Sequence, residues 1–187
     1  MRIVAGKHRG RELQAPVGDG TRPTLGRARQ SLFDILEHGK FSTTGESLLP
    51  GARVLEAFAG SGAFAFEALS RGAAFAAMID NAKPAQAAMR ANAALLKETD
   101  HCRIHAADAT RPPPADAPCD LVFLDPPYGK SLAGPALTAL TAAGWINADT
   151  LVIVEVASKE EFAAPNGFDL LDERVYGPAK FVFLRQA

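Results

Sequence analysis

A chain of 187 residues, 48% hydrophobic and 22% charged, is long enough for one domain with a substantial core and too short for two large ones. No stretch approaches the roughly 20 apolar residues of a membrane span, and Met1-Arg2 lacks the apolar continuation of a secretory signal, so a cytoplasmic protein is expected. The net charge of −1 hides an asymmetry: residues 1–30 carry Arg2, Lys7, Arg9, Arg11, Arg22, Arg27 and Arg29 against Glu12 and Asp19, while the remainder is acidic.

In chain order, Arg2 to Ala5 and Arg11 to Gln14 flank Gly6-Lys7-His8-Arg9-Gly10, which reads as a short basic β-hairpin. Ala15 to Gly20 reads as a linker. Thr24 is placed to cap a helix over 25–37, with Ala28, Leu32, Ile35 and Leu36 on one face and Gly39 as its stop. From residue 53 the pattern alternates strand and helix. Strands are predicted over 53–58, 74–79, 103–107, 121–124 and 151–156, and helices over 62–71, about 84–97 and 132–143. Segments 169–176 and 180–185, around Gly177-Pro178, read as an antiparallel closing hairpin.

Cys102 and Cys119 form no Cys-x-x-Cys pair and are expected to be reduced core thiols. His8, His38, His101 and His105 lack zinc-site spacing, so no metal is expected.

Leu121-Val122-Phe123-Leu124-Asp125-Pro126-Pro127-Tyr128 says most about function. Its apolar half suits a strand buried on both faces of a parallel sheet. The prolines end the strand and stiffen the peptides after it. Asp125 and Tyr128 then stand at the carboxyl edge of the sheet, where open α/β folds bind ligands. The order acid-Pro-Pro-aromatic resembles the signature of S-adenosylmethionine-dependent methyltransferases that modify exocyclic amines. Such an amine is a weak nucleophile because its lone pair is delocalised into the ring. Hydrogen bonds from its two N–H groups to the Asp125 carboxylate and the Pro126 carbonyl favour a pyramidal nitrogen aimed at the donor methyl. Tyr128 is suited to stack on the base. The remaining task is alignment. A proline-rich turn with a capping acid is the structural alternative.

A second motif, Glu56-Ala57-Phe58-Ala59-Gly60-Ser61-Gly62, follows a strand and opens a helix. It satisfies the loose dinucleotide fingerprint, with Asp80 twenty residues after Gly60. Either a dinucleotide or S-adenosylmethionine would use Asp80 for ribose hydroxyls. Glu56 and the later Asp125 motif favour S-adenosylmethionine, because a carboxylate beside the loop accepts from an ammonium and repels a pyrophosphate. Asp108 and Ala109 are expected near the adenine, with Asn81 bordering the adenosine. Capping of the following segments is the alternative role of Asp80 and Asp108.

With these pieces placed, the chain resembles the bacterial RsmD family, which methylates the N2 amine of a guanine in 16S ribosomal RNA. The resemblance runs through Met1 to Gly6, the basic 7–11 segment, Thr21-Arg22-Pro23-Thr24, Arg27, Ser31-Leu32-Phe33, Phe58 to Gly62, Glu67 to Ala73 and Asp120 to Gly129. It implies an α/β, Rossmann-like class I methyltransferase with a mostly parallel seven-stranded sheet and a reversed final hairpin. Residues 1–40 would form a small hairpin and helix extension for RNA binding, and residues 41–187 the methyltransferase domain. S-adenosylmethionine is then the cofactor and 16S ribosomal RNA or a small-subunit particle the partner, with a monomer expected. Lys7, Arg9, Arg11, Arg22 and Arg27 are expected to grip RNA phosphates, so that removing residues 1–15 weakens RNA binding and its salt dependence. The chain departs from the family at Gly26, where an acid is usual, at Glu56, where Asp is common, and at Asp80, where Glu is frequent. Rival readings are a DNA adenine- or cytosine-N methyltransferase, a protein-glutamine methyltransferase, a nicotinamide-dependent oxidoreductase and a noncatalytic RNA-binding assembly factor.

Overall fold

A computed structural model describes residues 1–17, 25–42 and 44–187. Arg22 and the expected cap Thr24 lie outside the described residues. The elements are α1 (Leu25–Glu37), β1 (Arg53–Ala57), α2 (Ala63–Ser70), β2 (Phe75–Asp80), α3 (Lys83–Leu96), a 3-10 turn (Thr99–His101), β3 (Cys102–Ala106), β4 (Leu121–Leu124), α4 (Ala133–Ala142), β5 (Leu151–Ala157), β6 (Phe168–Tyr176) and β7 (Ala179–Gln186). They form one seven-stranded sheet in the order β3-β2-β1-β4-β5-β7-β6. The pairs joining β1 to β5 are parallel, and β7 runs antiparallel to both neighbours.

Both faces of the central strands are covered, while the edge strand β6 is largely exposed. Phe33 and Leu36 of α1, Phe64 and Phe66 of α2 and Met89 of α3 pack with Phe123, Ile153 and Phe181 on one side. Leu137 and Leu140 of α4 pack with Trp145, Val122 and Val154 on the other. Full burial explains why β4 reads as a continuous apolar run and β5 as one broken only by Glu155, and each large side chain so buried contributes roughly 1.5–3 kcal/mol. Order reverses between β1 and β4, so the crevice above their carboxyl ends is a topological switch point.

The amino-terminal hairpin is less regular than its sequence suggests, with one bridge pair, Arg2 opposite Glu12. The reason is a competitor for its backbone donors. The Val4 and Ala5 amides donate to the Glu67 carboxylate at 2.8 and 3.1 Å, and the Lys7 and His8 amides donate to the Ser70 carbonyl and hydroxyl at 2.8 and 2.9 Å. Glu67, fully buried, also accepts from Arg71 Nε at 2.8 Å. Gly6, at φ +79°, lies so close to this helix that a Cβ would sit 1.9 Å from the Ser70 carbonyl oxygen. Ile3 and Leu13 are buried in the core, so the segment is fastened at both backbone and side-chain level.

Candidate active site

A cavity of about 580 Å³ opens at the switch point, within the usual size of a small-molecule site. Its wall includes Glu56 near the end of β1 and Phe58 just past it, Gly60 and Ser61 of the turn, Asp80 at the end of β2 and Asn81 after it, and Asp125 through Tyr128 after β4. Ala59 is buried under the turn, and Gly62, at φ +76°, caps α2 where a Cβ would meet Met78 Sδ at 2.6 Å. Thus the two sequence motifs meet in one cavity.

The glycine turn is held by carboxylates. Gly60 N and Ala82 N donate to Asp80 at 2.9 and 2.8 Å, which spans the ends of β1 and β2. Glu56 is buried and accepts from Phe64 N at 3.2 Å and Ala65 N at 2.9 Å, the orphan amides of the first turn of α2. Burial pushes its pKa up to about 7, against the lowering effect of those two amides and of Arg29. Phe58, on the cavity wall, takes φ +59°, a conformation that costs a bulky residue energy and recurs at ligand sites. Asn92 of α3, fully buried, donates to the Ser61 and Gln14 carbonyls at 3.0 Å each and so ties the turn to the amino-terminal segment.

At the opposite wall Asp125 extends β4, its amide donating to the Ala57 carbonyl at 3.3 Å. Pro126 is buried and Pro127 exposed. Tyr128 donates its hydroxyl to Glu155 Oε1 at 2.9 Å. Leu124 pairs in register with Val154, which makes Asp125, one residue past β4, and Glu155, within the adjacent parallel strand β5, neighbours on the sheet face shared by Phe123 and Ile153. A second, smaller cavity of about 170 Å³ adjoins the first and shares Pro126, Pro127, Tyr128 and Glu155 with it.

Of the residues expected to bind the cofactor, Ala59, Gly62, Asp108 and Ala109 stay off these walls. Asp108 is exposed, its carboxylate accepting from the Thr110 amide and hydroxyl at 2.8 Å each, bonds that hold its pKa below the usual range. Ala109 is buried in the core on the α4 side. Arg9, Arg11 and Arg27 are exposed, whereas Lys7 is paired with Glu98 at 2.6 Å. His8 also reaches Glu98, at 2.5 Å. Burial pushes the Glu98 carboxyl up, but the bonds from Lys7 and His8 outweigh it and leave its pKa lowered.

Two charged wall residues escaped the motif reading. Arg29 of α1 is buried, donates to the Arg2 carbonyl at 2.7 Å, and has no hydrogen-bond partner for Nε among the described residues. It lies one position from Ala28 and three from Leu32, inside the apolar stripe that marks the buried face of α1. Glu155, 3% exposed, interrupts the apolar run of β5. A lone acid in a strand buried on both faces is itself a sequence signal, because an ionisable group survives burial only with partners.

The cysteines are free, and burial raises their pKa values, to about 11 for Cys102 and about 12 for Cys119. Among the described residues no cluster of His, Cys, Asp or Glu is arranged to hold a metal ion. Nor is any described helix long and apolar enough to cross a membrane.

Comparison with known proteins agrees with this architecture. The family model described as conserved hypothetical protein 95 matches residues 1–185. Ribosomal RNA small subunit methyltransferase D of Escherichia coli strain K12 is 31% identical over 189 residues, covering 100% of this chain and 91% of that protein. The Haemophilus influenzae protein of the same name is 30% identical over 181 residues, covering 95% and 89%. The solved structure of Escherichia coli yhhF superposes with a TM-score of 0.79 at 30% identity, covering 100% of this chain and 97% of the other.

Proposed function

Because the chain belongs to the conserved hypothetical protein 95 family, the RsmD family its sequence resembles, we propose that it methylates the N2 amine of a guanine in 16S ribosomal RNA. It is an S-adenosylmethionine-dependent methyltransferase with the class I fold. The observation that carries the reading is the meeting of the Glu56–Gly62 turn and the Asp125–Tyr128 segment across one cavity.

The lining fits that cofactor. It offers acids to ammonium and hydroxyl groups at Glu56 and Asp80, a buried guanidinium to a carboxylate at Arg29, and aromatic surface at Phe58. When bound, S-adenosylmethionine supplies an electrophilic methyl group on a sulfonium.

The chain's own residues do the rest. Asp125 and the Pro126 carbonyl accept from the amine, hold it pyramidal and fix the direction of its lone pair. The stiff Pro126-Pro127 peptides keep both acceptors in place. Tyr128 is anchored by Glu155 and presents its ring to the base. A base within a helical stack cannot reach Asp125, so it leaves the stack to enter. Arg9, Arg11 and Arg27, together with Arg22, contact phosphates from residues 1–40, the RNA-gripping extension of the 41–187 catalytic body.

The test is transfer of tritiated methyl groups from S-adenosylmethionine to small-subunit particles from a strain lacking this protein, followed by mass mapping of the modified nucleotide. One N2-methylguanine is the expected product. Methylation of another base, or cofactor binding without transfer, contradicts the assignment.

A further inference from the structure

We propose that Glu155 selects guanine by accepting a hydrogen bond from its ring N1–H, beside the Asp125 site that holds the N2 amine. The proposal deepens the methyltransferase reading and rests on it. Glu155 is buried, lines both cavities, and stands next to Asp125 on the adjacent strand. Adjacent strands lie about 4.8 Å apart, so two side chains on the same sheet face can reach one ligand. The Tyr128 hydroxyl fixes the carboxylate through Oε1 at 2.9 Å, so its position is set before any base arrives.

The discrimination comes from base chemistry. In guanine the ring nitrogen beside the exocyclic amine carries hydrogen and donates. In adenine and cytosine the corresponding nitrogen has a lone pair and accepts. The role requires Glu155 in its ionised form, which is acceptor-only and so attracts the first arrangement and opposes the other two. Asp125 and the Pro126 carbonyl can receive any exocyclic amine, and by themselves they do not choose among the three bases. A buried acid at the adjacent position supplies the choice, and it disfavours the adenine- and cytosine-directed alternatives.

The experiment compares kcat/KM on small-subunit particles rebuilt with 16S RNA carrying guanine or 2-aminopurine at the methylated position. 2-Aminopurine keeps the amine and lacks the ring N1–H. The unsubstituted protein should prefer guanine by about 100-fold or more. In E155Q, whose amide can donate to the 2-aminopurine ring nitrogen, that ratio should fall by about tenfold or more, with S-adenosylmethionine affinity retained. The ratio does not depend on the fraction of folded enzyme. Equal losses on both substrates would assign Glu155 to anchoring Tyr128 alone and overturn the proposal. If E155Q yields no active protein, E155D decides, because retracting the carboxylate narrows the ratio only if it touches N1–H. An unsubstituted enzyme that methylates neither particle contradicts the function itself; one that methylates both equally contradicts only the role of Glu155.

Discussion

At the residue scale the site is a set of carboxylates with different partners. Glu56 serves the first turn of α2, Asp80 bridges two strand ends, and Glu155 holds Tyr128. Glu56 has a pH signature. Its pKa is raised in the folded protein to about 7, so the native state binds the extra proton, and its contribution is lost as pH rises from about 4.5 to 7. A shift of that size corresponds to about 3 kcal/mol at most. In urea titrations of the cofactor-free protein, E56Q should therefore flatten the fall in stability across that window, although the amide accepts less well from the two helix amides. An identical slope in both proteins would contradict this environment for Glu56. The motif residues were legible because Gly, Pro and acids at strand ends have positional meaning. Arg29 was not, because residue type alone does not tell a solvated arginine from one folded under a helix.

At the element scale, buried apolar strands and periodic helices declare themselves, and their alternation points to an α/β sheet, but alternation alone fits more than one strand order. The amino-terminal hairpin was less legible because its donors go to α2, a long-range competition that local pattern does not encode. Asp108 is a similar case: a strand-end acid is equally suited to a ligand or to its own loop, and here it bonds Thr110. The Glu67–Arg71 pair is the hinge of this packing, with side chains 0% and 1% exposed. Removing one partner of a buried pair typically costs about 3–5 kcal/mol. E67A should lose stability on that order in chemical denaturation, and protease should then cut within residues 1–17 first. A loss below about 1 kcal/mol would show that Glu67 does not fasten the segment.

At the scale of the whole molecule, Arg9, Arg11 and Arg27 are exposed on an otherwise acidic body, and Met1, Ala15 and Pro16 of the amino-terminal segment reach the cavity wall. Deleting residues 1–15 is a poor probe of that charge, since Ile3 and Leu13 belong to the core and Glu67 would lose two of its partners, the Val4 and Ala5 amides. Arg9 and Arg11 are exposed and suit the purpose better. R9A/R11A should weaken binding to small-subunit RNA and lower the salt slope by about 1.4–1.8, at about 0.7–0.9 per phosphate contact, with thermal stability kept. An unchanged slope would assign these arginines to solvent. The most direct test of the proposed chemistry is D125A, measured for both S-adenosylmethionine affinity and methyl transfer to small-subunit particles. Affinity should stay within about threefold of the unsubstituted protein, and transfer should fall by about 1,000-fold or more. Substantial transfer with Asp125 gone, or parallel loss of cofactor affinity, would contradict the role assigned to it.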